Sequence, residues 1–294
     1  MSALSTMGYK RPRRTRAEMD RIREVMARLA RDNRPVTCRQ LFYLMVSAGA
    51  IEKTQAEYKH TVIRLALELR RSGAIDWSWI VDRTRWFFRT GSFDSLQDAL
   101  EEAARLYRRS IWSESEVQIQ VRCESLSVAG IIKDEAYKWD VPLYPGKGYS
   151  SHDFLRSAAR DMAHDGRPAI VYLFGDYDAS GRDIIRFVQG TLREYASEVD
   201  PDVTIDFEVA AVTERQVVDW RLPGHPAKKS DSRHARYGID HAVELEAIPP
   251  DRLRSLVRDC ITKHIDPDSY RRLKAVEAAE RETLNALAKE GWGS

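Results

Sequence analysis

The sequence predicts an α/β protein in which a small basic helical domain precedes a larger domain built on a mostly parallel sheet. Three observations carry this. The run Ala169-Ile170-Val171-Tyr172-Leu173-Phe174 is apolar without alternation and ends in Gly175-Asp176-Tyr177-Asp178, the pattern of a strand covered on both faces. From Val117 onward, short apolar runs alternate with amphipathic stretches, the order of a parallel sheet with crossover helices. Charge is also divided: residues 1–90 hold 19 Lys and Arg against 9 Asp and Glu, and the remainder 28 against 36. The net charge of +2 therefore hides a basic front that suits a polyanion such as nucleic acid. The plain alternative is a solvated, Arg-rich helical surface.

A chain of 294 residues accommodates one large or two ordinary domains. With 31% charged and 43% hydrophobic residues it can bury a sizeable core. No apolar run approaches the roughly 20 residues that cross a bilayer, so no membrane partner is expected. The N-terminus has no apolar signal core, and Cys38, Cys123 and Cys260 are far apart without metal-ligand spacing. Both fit a reducing cytoplasm, and DNA binding would place the chain at the nucleoid. The seven histidines form no HxxxH or HxH cluster, so no zinc site is expected.

Residues 1–16 read as a loose arm in which Lys10, Arg11, Arg13, Arg14 and Arg16 cluster beside Pro12. Met19, Ile22, Met26 and Leu29 then share one helical face. Thr37 followed by Gln40 is a capping-box pattern opening a second helix to about Ala48, with Leu41, Leu44, Met45 and Ala48 as its core stripe. A third helix runs from about Thr54 to Ser72. Val62, Leu65, Ala66 and Leu69 pack inward, while Tyr58, Lys59, Arg64, Arg70 and Arg71 face outward. Ile75, Trp77, Trp79 and Val81 alternate as a strand does, and Arg83, Arg85 and Arg89 interleave with Trp86, Phe87 and Phe88. Three helices and then a strand is the order of a winged helix-turn-helix, with the third helix as the major-groove element. A helical bundle with a hairpin would share that order.

A connecting helix follows, with Leu96, Leu100, Ala103, Ala104 and Tyr107 on one side. The second domain then reads as strand Val117–Val121 ending in Arg122-Cys123-Glu124, helix Leu126–Trp139, strand Val141–Tyr144, a loop 145–149, helix His152–His164, strand Ala169–Phe174, a helix to about Tyr195 and strand Val203–Val209. Residues 220–238 form a loop whose Lys228, Lys229 and Arg233 could touch phosphates or simply be solvated. Two further helices follow, one containing Leu253, Leu256 and Val257, the other running from Pro267 to about Ala288.

Residues two apart on an extended chain point the same way, so Asp176 and Asp178 both aim at the carboxyl edge of the sheet, where ligands of such sheets bind. Converging carboxylates repel unless a cation joins them, and a hard ion such as Mg2+ is the usual partner. An acidic turn at a helix N-terminus is the plain alternative. Glu124 ends its own strand in the same manner and would add a third carboxylate, which matches a divalent-cation site for phosphoryl transfer. On the second helix, Tyr43 lies about 200° from Leu41, away from the stripe, with Arg39 on its face at i−4. A guanidinium there can favour a phenolate and hold a phosphate. An ordinary interfacial tyrosine is the alternative.

Taken together, a strand-ending Glu124, the later Gly175-Asp176-Tyr177-Asp178-Ala179-Ser180-Gly181-Arg182-Asp183, and Thr37-Cys38-Arg39-Gln40-Leu41-Phe42-Tyr43 resemble the A subunit of topoisomerase VI and its meiotic double-strand-break relatives. In that family a winged-helix domain precedes a Toprim domain. The resemblance spans about residues 20–260. It leaves the arm and the last helix unexplained, and the chain is expected to divide into a basic arm (1–16), a winged-helix domain (17–92), a connecting helix (93–114) and a Toprim domain with a C-terminal helical extension (115–294). The resemblance implies Mg2+-dependent cleavage of double-stranded DNA by a topoisomerase-like transesterase acting as a homodimer. Tyr43 is then the nucleophile and Arg39 orients the phosphate. Asp176 and Asp178 hold Mg2+, and Glu124 binds metal or acts as general acid/base. Arg64, Arg70, Arg71, Arg83, Arg85, Lys228 and Lys229 are the expected DNA contacts, and Asp183 is structural. Two positions depart from the family: Ser125 stands where lysine is common, and Tyr177 where proline is. The chain has no nucleotide-binding Gly-x-x-x-x-Gly-Lys-Ser/Thr loop, so any ATPase would be a separate subunit. The alternatives are a hydrolytic Toprim nuclease, with water as nucleophile, and a DNA-binding module without catalysis.

Overall fold

The computed structural model describes residues 14–81, 92–146, 150–227 and 234–289. The chain divides after Val81 into two compact units.

The first unit is helical. Helix α1 (Arg16–Asp32) opens on a Thr15/Glu18 capping box. Helix α2 (Cys38–Ser47) opens on the Thr37/Gln40 box read from the sequence. A π-helical turn, Glu57–Val62, runs directly into α3 (Ile63–Arg71). Ile22, Met26, Leu41, Met45, Val62, Leu65 and Leu69 bury their side chains. Arg14 reaches from ahead of α1 to the buried Glu57 in a two-pronged ion pair at 2.6 and 3.0 Å.

The alternation from Ile75 to Val81 does not make a strand. The Asp76 carboxylate accepts from the Ser78 amide at 2.8 Å and the Ser78 hydroxyl at 2.6 Å, a side-chain turn that competes with extended pairing. Ile75 and Ile80 are buried and Trp77 is 58% exposed. Among the described residues, a single parallel bridge, Val36 to Ile80, is all the pairing found there. Arg83, Arg85 and Arg89 lie outside the described residues, as do Lys10, Arg11 and Arg13 of the arm.

The second unit is α/β. It runs α4 (Leu96–Leu106), β1 (Gln118–Cys123), α5 (Leu126–Lys138), β2 (Leu143–Pro145), α6 (His152–Asp165), β3 (Ala169–Phe174), α7 (Ala179–Ser197) and β4 (Ile205–Ala211). Then come α8 (Glu214–Asp219), β5 (His225–Pro226), α9 (His234–Tyr237), β6 (His241–Ala242), α10 (Pro250–Thr262) and α11 (Pro267–Lys289). Strands β2-β1-β3-β4 form one sheet in that order, and every pairing is parallel. Against one face, α6 and α7 pack Leu155, Ala158, Met162, Ile184, Val188 and Leu192 onto Val171 and Leu173. On the other face α5 and α10 pack together, α5 against β1 and α10 against β4. Burial on both faces is why β3 reads as an unbroken apolar run; β1 alternates in sequence, yet its Gln118, Gln120 and Arg122 are buried as well.

Helix α4 packs along α11, joined by Tyr107 donating to Glu280 at 2.6 Å and by Arg109 with the same carboxylate at 2.8 Å. It lies within the second unit. No helix among the described residues is long and apolar enough to cross a membrane.

The α2 cap is testable. Thr37→Ala removes the hydroxyl that accepts from the Gln40 amide at 3.2 Å. It should cost the first unit about 1–2 kcal/mol, read as a lower urea midpoint with unchanged slope.

Candidate metal and nucleic-acid sites

In the second unit, β1 and β3 end level. Cys123 lies opposite Phe174, and the Glu124 amide continues the ladder by donating to the Phe174 carbonyl at 2.8 Å. The chain then turns through Gly175, where a Cβ would stand 2.9 Å from Glu124 Oε2. A side chain there would push the end of that carboxylate aside by a small shift. Glu124 Oε2 accepts from the Asp176 amide at 3.2 Å. Asp176 Oδ1 accepts from the Leu245 amide at 2.8 Å, and Asp178 Oδ1 caps α7 by accepting from the Gly181 amide at 2.7 Å. A Cβ on Gly181 would meet the Asp176 carbonyl oxygen at 2.3 Å, so the turn closes only with glycine there.

The three acids expected from the sequence thus share one edge. The acidic-turn reading is also met in part, since Asp178 is the N-cap of α7. Each of the three spends one oxygen on a backbone amide, so its second oxygen has no protein partner among the described residues.

A fourth carboxylate stands with them. Glu246 Oε1 accepts from the Ser125 and Ser127 hydroxyls, both at 2.7 Å. Its segment is tied to the Asp-x-Asp turn by the antiparallel Tyr177–Val243 bridge. Nothing local in the sequence singles out Glu246. It reaches the edge through a pairing between residues far apart in the chain. Ser125 caps α5 by accepting from the Val128 amide at 3.3 Å and spends its proton on Glu246.

Electrostatics follow from this crowding. Burial first, then Asp178 and Glu246, raise the Glu124 carboxyl above its ordinary value, against the bond from the Asp176 amide. Burial and then Glu124 push Asp176 well above its own, with Glu246 and Asp178 adding to the shift. Arg122, two residues before Glu124, does not relieve them. Its guanidinium lies over the Tyr144 ring at 4.4 Å and donates to Gln120, and burial lowers its pKa to about 10. Asp183 pairs with Arg186 at 2.9 Å and accepts from Tyr237 at 3.2 Å, a structural role.

Among the described residues, no group of three or more His, Cys, Asp or Glu side chains is placed to hold a metal ion. The donors nonetheless fit Mg2+, which prefers hard oxygens. It commonly takes one or two carboxylates with water and substrate phosphates rather than an all-protein cage.

In the first unit, Arg39 stands by Tyr43, its guanidinium 5.9 Å from the ring centre. Tyr43 does not point outward as the helical wheel suggests: it is 2% exposed. Phe42 packs edge-on at 5.3 Å and the Lys53 ammonium lies 5.0 Å from the ring. Helix α2 touches both α1 and the π-helical turn, so more than one of its faces is covered. Leu44 is half-buried and Ala48 exposed. Of the outer arginines, Arg70 stacks on Trp77 at 5.2 Å and donates to the Ile80 carbonyl. Arg64 pairs with Glu68, and Arg71 is exposed. Lys228 and Lys229 lie outside the described residues.

No family model and no curated protein sequence matches this chain.

The raised Asp176 carboxyl has a measurable consequence. A carboxyl raised in the folded state binds its proton more tightly there than when unfolded. Stability therefore falls as pH rises from the unfolded carboxyl value through the folded one. Asp176→Asn keeps an acceptor for Leu245 and removes the charge. In chelator at pH 7 it should melt about 2–4 °C above the parent, the shift that about 1 kcal/mol produces in a chain of this size. The gap should close as pH falls toward 4.

Proposed function

We propose that the protein cleaves double-stranded DNA by Mg2+-dependent tyrosine transesterification, as a winged-helix and Toprim protein similar to the topoisomerase VI A subunit. The observation that carries this reading is the shared edge: Glu124 and Asp176 are joined by a 3.2 Å hydrogen bond, with Asp178 two residues on. Mixed α/β architecture with a parallel sheet supports it at the level of class. The basic first unit is its nucleic-acid side.

In this reading Glu124, Asp176 and Asp178 hold Mg2+, which when bound screens the attacked phosphate and the departing oxygen. A tyrosine hydroxyl of the first unit, Tyr43 by motif position, attacks phosphorus. The P–O3′ bond breaks, the protein stays on the 5′ end and the 3′ oxygen leaves as a hydroxyl. Arg39 orients the phosphate. The tyrosine of one subunit serves the acids of its partner, so the active form is a homodimer, and coupling to ATP would need a separate subunit. The burial of Tyr43 favours one competing reading, hydrolysis by water at the same acidic edge.

Incubation with supercoiled DNA and Mg2+, followed by denaturation, distinguishes the two. Transesterification gives protein on 5′ ends, abolished in Asp176→Ala and Glu124→Ala. Hydrolysis gives metal-dependent cuts with free ends. Salt-sensitive binding without cleavage in Mg2+ or Mn2+ would leave a DNA-binding module and overturn the proposal.

A further inference from the structure

If the chain is a tyrosine transesterase, the first unit offers a second phenol, and it is better placed to meet DNA. Tyr58 sits in the π-helical turn Glu57–Val62. Its ring is 5.1 Å from the Arg39 guanidinium, closer than the 5.9 Å to Tyr43. Phe42 packs edge-on against both rings, at 5.3 Å from Tyr43 and 5.5 Å from Tyr58. The two tyrosines therefore flank one phenylalanine and share one guanidinium. They differ in access. Tyr43 is 2% exposed beneath Lys53, whereas Tyr58 is half-buried and followed by the exposed Lys59 and His60.

A nucleophile must bring its oxygen within about 3–3.5 Å of the reacting atom, in line with the leaving group. A DNA phosphate is carried on a wide, hydrated duplex and cannot enter a packed helical core. π-Helical turns cost hydrogen-bond geometry and occur often at functional sites. This one sits where it sets Tyr58 against Arg39.

We propose that Tyr58, rather than Tyr43, presents the reactive phenol, with Arg39 holding the phosphate and Tyr43 packing beneath it. This rests on the transesterase reading given above. The Tyr58 oxygen forms a bond to phosphorus as the P–O3′ bond breaks. The phenol proton passes to solvent, and the departing 3′ oxygen takes one up. One phosphodiester becomes another, so no oxidant, reductant or further reactant is needed.

The test maps the attachment in the intact protein. After incubation with DNA and Mg2+, denaturation and nuclease trimming, trypsin separates the two candidates. Tyr43 falls in the peptide Gln40–Lys53, and Tyr58 in Thr54–Lys59. A nucleotide on Thr54–Lys59 is expected. Tyr58→Phe should lower adduct yield at least about 100-fold and Tyr43→Phe less than about 10-fold, with circular dichroism showing both folded. A nucleotide on Gln40–Lys53, or on any other peptide, overturns the assignment and leaves the transesterase reading intact. Metal-dependent cleavage without any protein adduct overturns both.

Discussion

Glu124 stands beside Asp176 because β1 and β3 are adjacent, parallel and end level, with Cys123 opposite Phe174. That register is the constraint on which the acidic edge depends. Side chains alternate along a strand, so a slip of one residue would send Glu124 to the opposite face of the sheet. Burial by α6 and α7 on one face and by α5 and α10 on the other makes such a slip costly. Gly181 then lets the turn after β3 close against the Asp176 carbonyl, and the Glu124 carboxylate accepts the Asp176 amide.

What this packing creates is an imbalance. Three strand-end carboxylates and Glu246 lie within electrostatic reach of one another. The cation nearest in sequence, Arg122, is committed to Tyr144 and Gln120. Backbone amides from Asp176, Gly181 and Leu245 supply partial positive charge and fix the carboxylates in place. They do not neutralise them. In the proposed reading, a hard cation brought with a phosphate would offset that charge.

Much of this was legible in the sequence, for local reasons. The capping box at Thr37 and Gln40 and the apolar run Ala169–Phe174 depend on neighbours in sequence, and the structure has them. So does the convergence of Glu124, Asp176 and Asp178, which follows once the sheet is parallel. Three features were not legible, each because a contact outside the local pattern decided it. The alternation Ile75–Val81 looked like a strand, but the Asp76 side chain captures Ser78. Tyr43 looked outward on a two-faced helix, but α2 is covered on more than one side. Glu246 sits in an unremarkable stretch and is carried to the site by a pairing between Tyr177 and Val243, far apart in the chain.

The π-helical turn ahead of α3 has an implication for how this helix is read as a ruler. A π turn is an α-helix that accommodates one surplus residue, held as a bulge rather than expelled into a loop. Removing a residue between Glu57 and Val62 would restore α spacing and rotate everything upstream by about 100°. Glu57 would then swing away from Arg14, and Tyr58 away from Arg39. The pairing of Arg14 with Glu57 is thus a matter of residue count as much as residue type. Alignments that close this position as a gap would misplace both side chains at once.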